Sequence, residues 1–161
     1  RDRAEGRQPR LMETELVEAL LVRDWGAFVA QARRLGLGRP VRRGTRIALT
    51  ISPRGIDERF RVVLLCEDYD AVAPLLDFAD LKTGKELGRE HWPRMQNAPY
   101  NEIAFRGRQV PILCTPGTLG YHLHPSHCNE VHDKTIWSLP CQASLIARLM
   151  TQMGEYQGRG V

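Results

Sequence analysis

Arg46-Ile-Ala-Leu-Thr-Ile-Ser-Pro-Arg-Gly-Ile-Asp-Glu-Arg-Phe-Arg-Val-Val-Leu-Leu-Cys66 is the stretch that decides the fold. Arg46–Ser52 alternates and is rich in Ile, Leu and Thr, which reads as a strand. Pro53-Arg54-Gly55 is turn chemistry, and Glu58–Cys66 resumes a strand with Phe60, Val62 and Leu64 on one face. The two strands predict a hairpin. Pro74–Ala79 offers a third strand, and Lys82-Thr83-Gly84-Lys85 turns the chain away from it.

Helical periods flank this sheet. Upstream, Thr14–Leu35 places Trp25, Phe28, Val29, Ala32 and Leu35 on one face of a 3.6-residue period, and Gly36 with Gly38 supplies the stop. Asp24 is an alternative cap for a second, shorter helix. Downstream, Glu86–Arg108 is poor in periodicity and predicts an irregular segment packed on the sheet. Val110–Cys114 reads as a buried strand end, and Thr115–Thr135 has no period and predicts a long loop. Leu139–Met153 is helical again, with Leu139, Ala143, Ile146, Met150 and Met153 in one stripe and Ser138 as N-cap. Helix, hairpin-built antiparallel sheet, long His-rich loop and helix make an α+β layering.

The length suits a single domain, expected over residues 12–161 behind a flexible leader at 1–11. Met12 marks a plausible native start. No apolar run approaches the roughly 20 residues that span a bilayer, and no membrane partner is expected. The N-terminus lacks the apolar core of a signal peptide. Four cysteines without framework spacing predict reduced thiols and a cytoplasmic location. Half of the +4 net charge falls in the leader, so nucleic acid is not the expected partner. Arg33, Arg34, Arg39, Arg42, Arg43 and Arg46 form one basic stretch, read as a solvated helix end and loop. Cys66 and Cys141 are read as buried small hydrophobes and His91 as structural.

The chemistry concentrates between Cys114 and Trp137. This region holds His122, His124, His127 and His132, four of the five histidines, together with Cys128. Two chemistries use such a set. Cys114 at a strand end can act as a nucleophile whose thiolate and proton traffic a nearby imidazole assists. Alternatively, thiolate and imidazole donors can close around zinc, with His122-x-His124 and His127/Cys128/His132 as candidate ligands. No Cys-x-x-Cys knuckle is present. A plain surface loop whose histidines happen to cluster is the third reading.

In this organisation the chain resembles the ubiquitin-conjugating enzymes and their bacterial relatives found with ubiquitin-like operons. Those enzymes carry Tyr-Pro-x-x-Pro-Pro-x-x-x-Phe after a strand. Tyr69-Asp-Ala-Val-Ala-Pro74-Leu-Leu-Asp-Phe78 keeps the Tyr, the last Pro and the Phe at that spacing. Trp137-Ser138-Leu139-Pro140 is similar to the family's opening of the helix after the cysteine. Pro99-Tyr100-Asn101 echoes its His-Pro-Asn, and Cys114…His122-x-His124 resembles the bacterial pattern of Cys followed by His. A predicted metal-binding variant associated with those operons shows a similar Cys…His-x-His loop. The chain departs from the pattern at Ala73, in lacking the His of His-Pro-Asn, and in its longer cysteine-to-Trp stretch.

The resemblance implies a conjugating transferase. Cys114 would accept a ubiquitin-like protein's C-terminus as a thioester and pass it to an amine. Asn101 would stabilise the oxyanion, and His122 or His124 would take the attacking amine's proton. Its implied partners are a ubiquitin-like protein, its activating enzyme and a protein substrate, with no cofactor. The alternative it carries is a non-catalytic zinc-binding adaptor of the same fold, built on Cys114, His122 and His124. A pseudoenzyme that only docks partners is the remaining reading.

Overall fold

The computed structural model describes residues 13–95, 100–105, 108–127, 134–153 and 156–159. The leader at 1–11, Met12, Pro99, Cys128 and His132 lie outside the described residues. The helical period at the start of the chain forms one uninterrupted helix, α1 (Thr14–Arg34), so Asp24 does not cap a second one. Its side chain has other partners: it pairs with Arg23 and accepts a hydrogen bond from the Tyr69 hydroxyl at 2.6 Å. These contacts, the Arg23 hydrogen bond foremost, hold the Asp24 carboxyl below its ordinary range.

Four antiparallel strands follow in sequential order: β1 (Val41–Arg43), β2 (Arg46–Ile51), β3 (Phe60–Leu65) and β4 (Leu75–Ala79). The expected hairpin is present, with Ile51 opposite Phe60 and Arg46 opposite Leu65. Part of the basic stretch is not loop, because Val41-Arg42-Arg43 forms the edge strand β1. Alternation on β2 sends Ile47, Leu49 and Ile51 inward and Arg46, Ala48 and Thr50 outward. The inward face packs against α1 and against α3 (Leu139–Gln152), which buries Leu139, Ala143, Leu145, Ile146 and Leu149. Cys66 joins this core as expected, and burial pushes its thiol up to about 12. Cys141 does not; it is exposed, because it falls on the solvent side of α3.

The segment expected to be irregular contains β5 (Pro93–Met95) and β6 (Tyr100–Phe105). β6 pairs antiparallel with β7 (Arg108–Leu113), and β5 pairs with β8 (Tyr156–Arg159). The β6–β7 hairpin covers the outer face of β4. Ile103, Val110 and Ile112 close on Leu75 there, so β4 is buried along its whole length. The sheet is thus sandwiched at its β4 edge, while the outer face of β1 and β2 keeps its polar residues.

Tyr69, Pro74 and Phe78 occupy two layers. Tyr69 and Phe78 lie in the main core, whereas the Pro74 carbonyl accepts the Leu119 N–H at 2.9 Å beneath the segment that follows Cys114. The Tyr69 hydroxyl also accepts the Leu139 N–H at 3.0 Å, tying the start of α3 to α1. Tyr69→Phe leaves that buried amide without its acceptor and is expected to cost about 1–3 kcal/mol in denaturant melts. A loss indistinguishable from zero would show that water replaces the hydroxyl.

Candidate metal and thiol site

Cys114 is the first residue beyond β7, half-buried against the small apolar cluster of Leu75, Ile112 and Leu119. The chain reverses immediately after it. The Thr118 hydroxyl lies 2.8 Å from the Leu113 carbonyl and 2.9 Å from that of Thr115. Gly117 takes a positive φ of 95° at the turn, and its carbonyl accepts from the fully buried Gln142 amide at 2.7 Å. Thr118 then caps a short helix, α2 (Leu119–Leu123), by accepting the Tyr121 N–H. The expected loop therefore carries a helical turn docked on β4 and β7.

Gly120 makes that docking possible. A Cβ at this position would sit 2.6 Å from the Cβ of Ile112, inside any tolerable contact. Gly120→Ala must push α2 away from β7 and is expected to destabilise by about 1–3 kcal/mol. Denaturant melts check this, and an unchanged midpoint would mean that α2 is not seated on the hairpin.

From this turn the imidazoles diverge. His122 accepts a hydrogen bond from the Trp137 indole at 2.9 Å and packs edge-on against its ring. His124 ends α2, and its Nε2 lies 2.7 Å from the Asn101 amide nitrogen across the gap to β6. His127 stacks on Tyr121 with ring centroids 4.0 Å apart, and its backbone N–H donates to the His124 carbonyl at 2.9 Å. The donor atoms of Cys114, His124 and His127 all lie within 4.8 Å of one another, and all three residues are half-buried.

This set differs from the expected Cys114/His122/His124 trio. His122 lies within α2 and is held by Trp137, whereas His124, the extended residue that caps the end of α2, turns toward Cys114. The turn after Leu123 brings His127 around instead. Asn101, named for oxyanion stabilisation, stands beside His124. Its Oδ1 accepts the Glu102 N–H at 2.8 Å while its amide nitrogen faces the imidazole. The Ser126 N–H meets the other ring nitrogen of His124 at 3.3 Å. A neutral imidazole has one acceptor nitrogen, so it satisfies one of these two donors at a time.

No protein-family model matches the chain, and no curated protein matches it in sequence. One thiol and two imidazoles form the borderline-soft S/N donor set that suits zinc. A tetrahedral zinc with bonds of about 2.0–2.3 Å places its donors about 3.3–3.8 Å apart, closer than the 4.8 Å within which these atoms lie. Three protein donors leave a fourth position. Among the described residues no helix is long and apolar enough to cross a membrane.

Proposed function

We propose that this chain is a ubiquitin-conjugating-like module whose Cys114 centre binds zinc, and that it acts as a docking adaptor in ubiquitin-like conjugation. The observation that carries the metal reading is His127. A thiol–imidazole pair would serve acyl transfer, but a third donor within 4.8 Å of both has no part in that chemistry. Zinc would be held by Cys114, His124 and His127 and would fix α2 and the turn after it against β7. The Asn101 side chain, 2.7 Å from Nε2 of His124, would orient that imidazole. Support for the conjugating-like fold comes from the four-strand meander between two helices and from Pro74 beneath the Cys114 turn. Metal analysis of protein purified without added zinc is expected to give one zinc per chain. Metal-free protein with an intact fold would sink this reading.

A second reading is favoured by the contact between Asn101 and His124. Cys114, His124 and Asn101 together form a nucleophile, a base and a group that orients the base, a combination used in acyl transfer by cysteine enzymes. In this reading the Cys114 thiol passes its proton to His124 and attacks the thioester that joins a ubiquitin-like partner to its activating enzyme. That enzyme's thiol is expelled and takes up the proton. An amine later attacks the new thioester, gives its proton to His124 and displaces Cys114.

A further inference from the structure

The outer face of the meander, remote in function from the Cys114 turn, carries an open groove of about 450 Å³. Arg39, Arg43, Arg46, Arg61 and Lys82 line it over a floor that includes Ala48 and Thr50, and no acidic side chain does. The register concentrates these charges. Arg43 lies directly opposite Arg46 across β1 and β2, and like charges so placed repel. Two guanidinium groups also converge on one backbone position. Arg46 donates to the Gly84 carbonyl at 2.6 Å, and a Cβ on Gly84 would lie 3.4 Å from Nη1 of Arg61.

The nearby acids offset this charge only in part, at Arg46 and Lys82. Glu86 pairs with Arg46 at the rim. Asp80 turns its carboxylate into its own turn, accepting from the Thr83 N–H at 2.6 Å and the Lys82 N–H at 3.0 Å. Asp77, buried in β4, accepts the Phe78 N–H at 2.6 Å. Arg39, Arg43 and Arg61 have no ion pair among the described residues. Burial lowers the Arg46 pKa; Asp77 opposes that shift and Arg61 adds to it.

We propose that this groove binds a phosphorylated small ligand carrying at least two phosphate groups. Guanidinium forks match phosphate oxygens in pairs, and head groups that converge suit a compact, dense anion. The volume falls within the range of small-ligand sites, about 300–1,000 Å³. The lining contains no aromatic side chain on which a base could stack, which separates it from a groove for single-stranded nucleic acid. This site does not depend on the zinc reading, and either can fail alone.

Inorganic tripolyphosphate is the probe, titrated calorimetrically into the full chain near physiological ionic strength. One saturable site per chain is expected. The double variant Arg43→Gln/Arg61→Gln should weaken binding at least about tenfold, the loss of two charge-assisted contacts. Glu86→Gln is the opposing control. It frees Arg46 from its intramolecular partner and should tighten binding by about two- to fivefold. Absence of saturable binding in the millimolar range overturns the proposal. So does unchanged affinity in the double variant when its melting curve is native. Tighter binding of an oligoglutamate peptide or a single-stranded oligonucleotide than of tripolyphosphate would reassign the groove to an acidic protein segment or to nucleic acid.

Discussion

Replacing Trp137 with Ala is expected to cost about 3–5 kcal/mol, the range for deleting a large buried aromatic side chain. The ring is only 5% exposed and directly precedes Ser138, which leads into α3 at Leu139. Its indole N–H donates to His122, and the two rings pack edge to face with centroids 5.2 Å apart. Removal therefore opens a cavity at the start of α3 and releases α2 from the same contact. Trp137→Phe separates the two effects, since it keeps most of the packing and loses the hydrogen bond, at about 1 kcal/mol for the polar part. Urea or guanidinium melts supply the measurement. A loss well under 1 kcal/mol for the Ala variant would contradict the burial seen here.

The elements that could be read in the sequence are those whose period is set by burial on one face. Residues 46–51 alternate because β2 has a core face and a solvent face, and β3 shows instead as an apolar run beyond the Pro53–Gly55 turn. The same reasoning located α1, α3 and the stripe from Leu139 to Ile146. What escaped was held by tertiary partners. β6 offers a weak pattern, Tyr-Asn-Glu-Ile-Ala-Phe, and exists because β7 pairs with it and Ile103 closes on Leu75. β1 hid within a basic stretch, since an edge strand with its side chains in solvent needs no apolar period. α2 follows a Pro-Thr-rich turn and is a single helical segment of five residues, too short for periodicity to register. Within the site, composition alone drew attention to Cys114 and the histidines. Which imidazoles converge depends on the end of α2, and that depends on Gly120 fitting against Ile112.

Substituting any one of Cys114, His124 and His127 is expected to abolish stoichiometric zinc. The argument rests on their mutual separation, since each supplies one donor to a set that spans no more than 4.8 Å. Asn101→Ala removes an outer partner of His124 and should weaken zinc binding by about 10–100-fold, the usual effect of losing such support. His122→Ala should leave zinc content unchanged, because that imidazole is held by Trp137 instead. Alkylation provides the independent check. Cys66 is buried with its thiol pushed up to about 12, so it stays protonated and unreactive at neutral pH. Cys141 is exposed and labels whatever the state of the site, so the experiment uses Cys141→Ser and maps the modified peptides. Zinc-loaded protein should protect Cys114, and a chelator should expose it while loosening the segment after β7. The opposite pattern has a definite meaning. If as-purified protein lacks zinc, labels at Cys114 first, and forms a reducible adduct with a ubiquitin-like partner and its activating enzyme, the zinc reading is wrong. Loss of that adduct in Cys114→Ala and its conversion to a stable ester in Cys114→Ser would establish the thiol as an acyl carrier, with His124 as its base and Asn101 as the group that orients it.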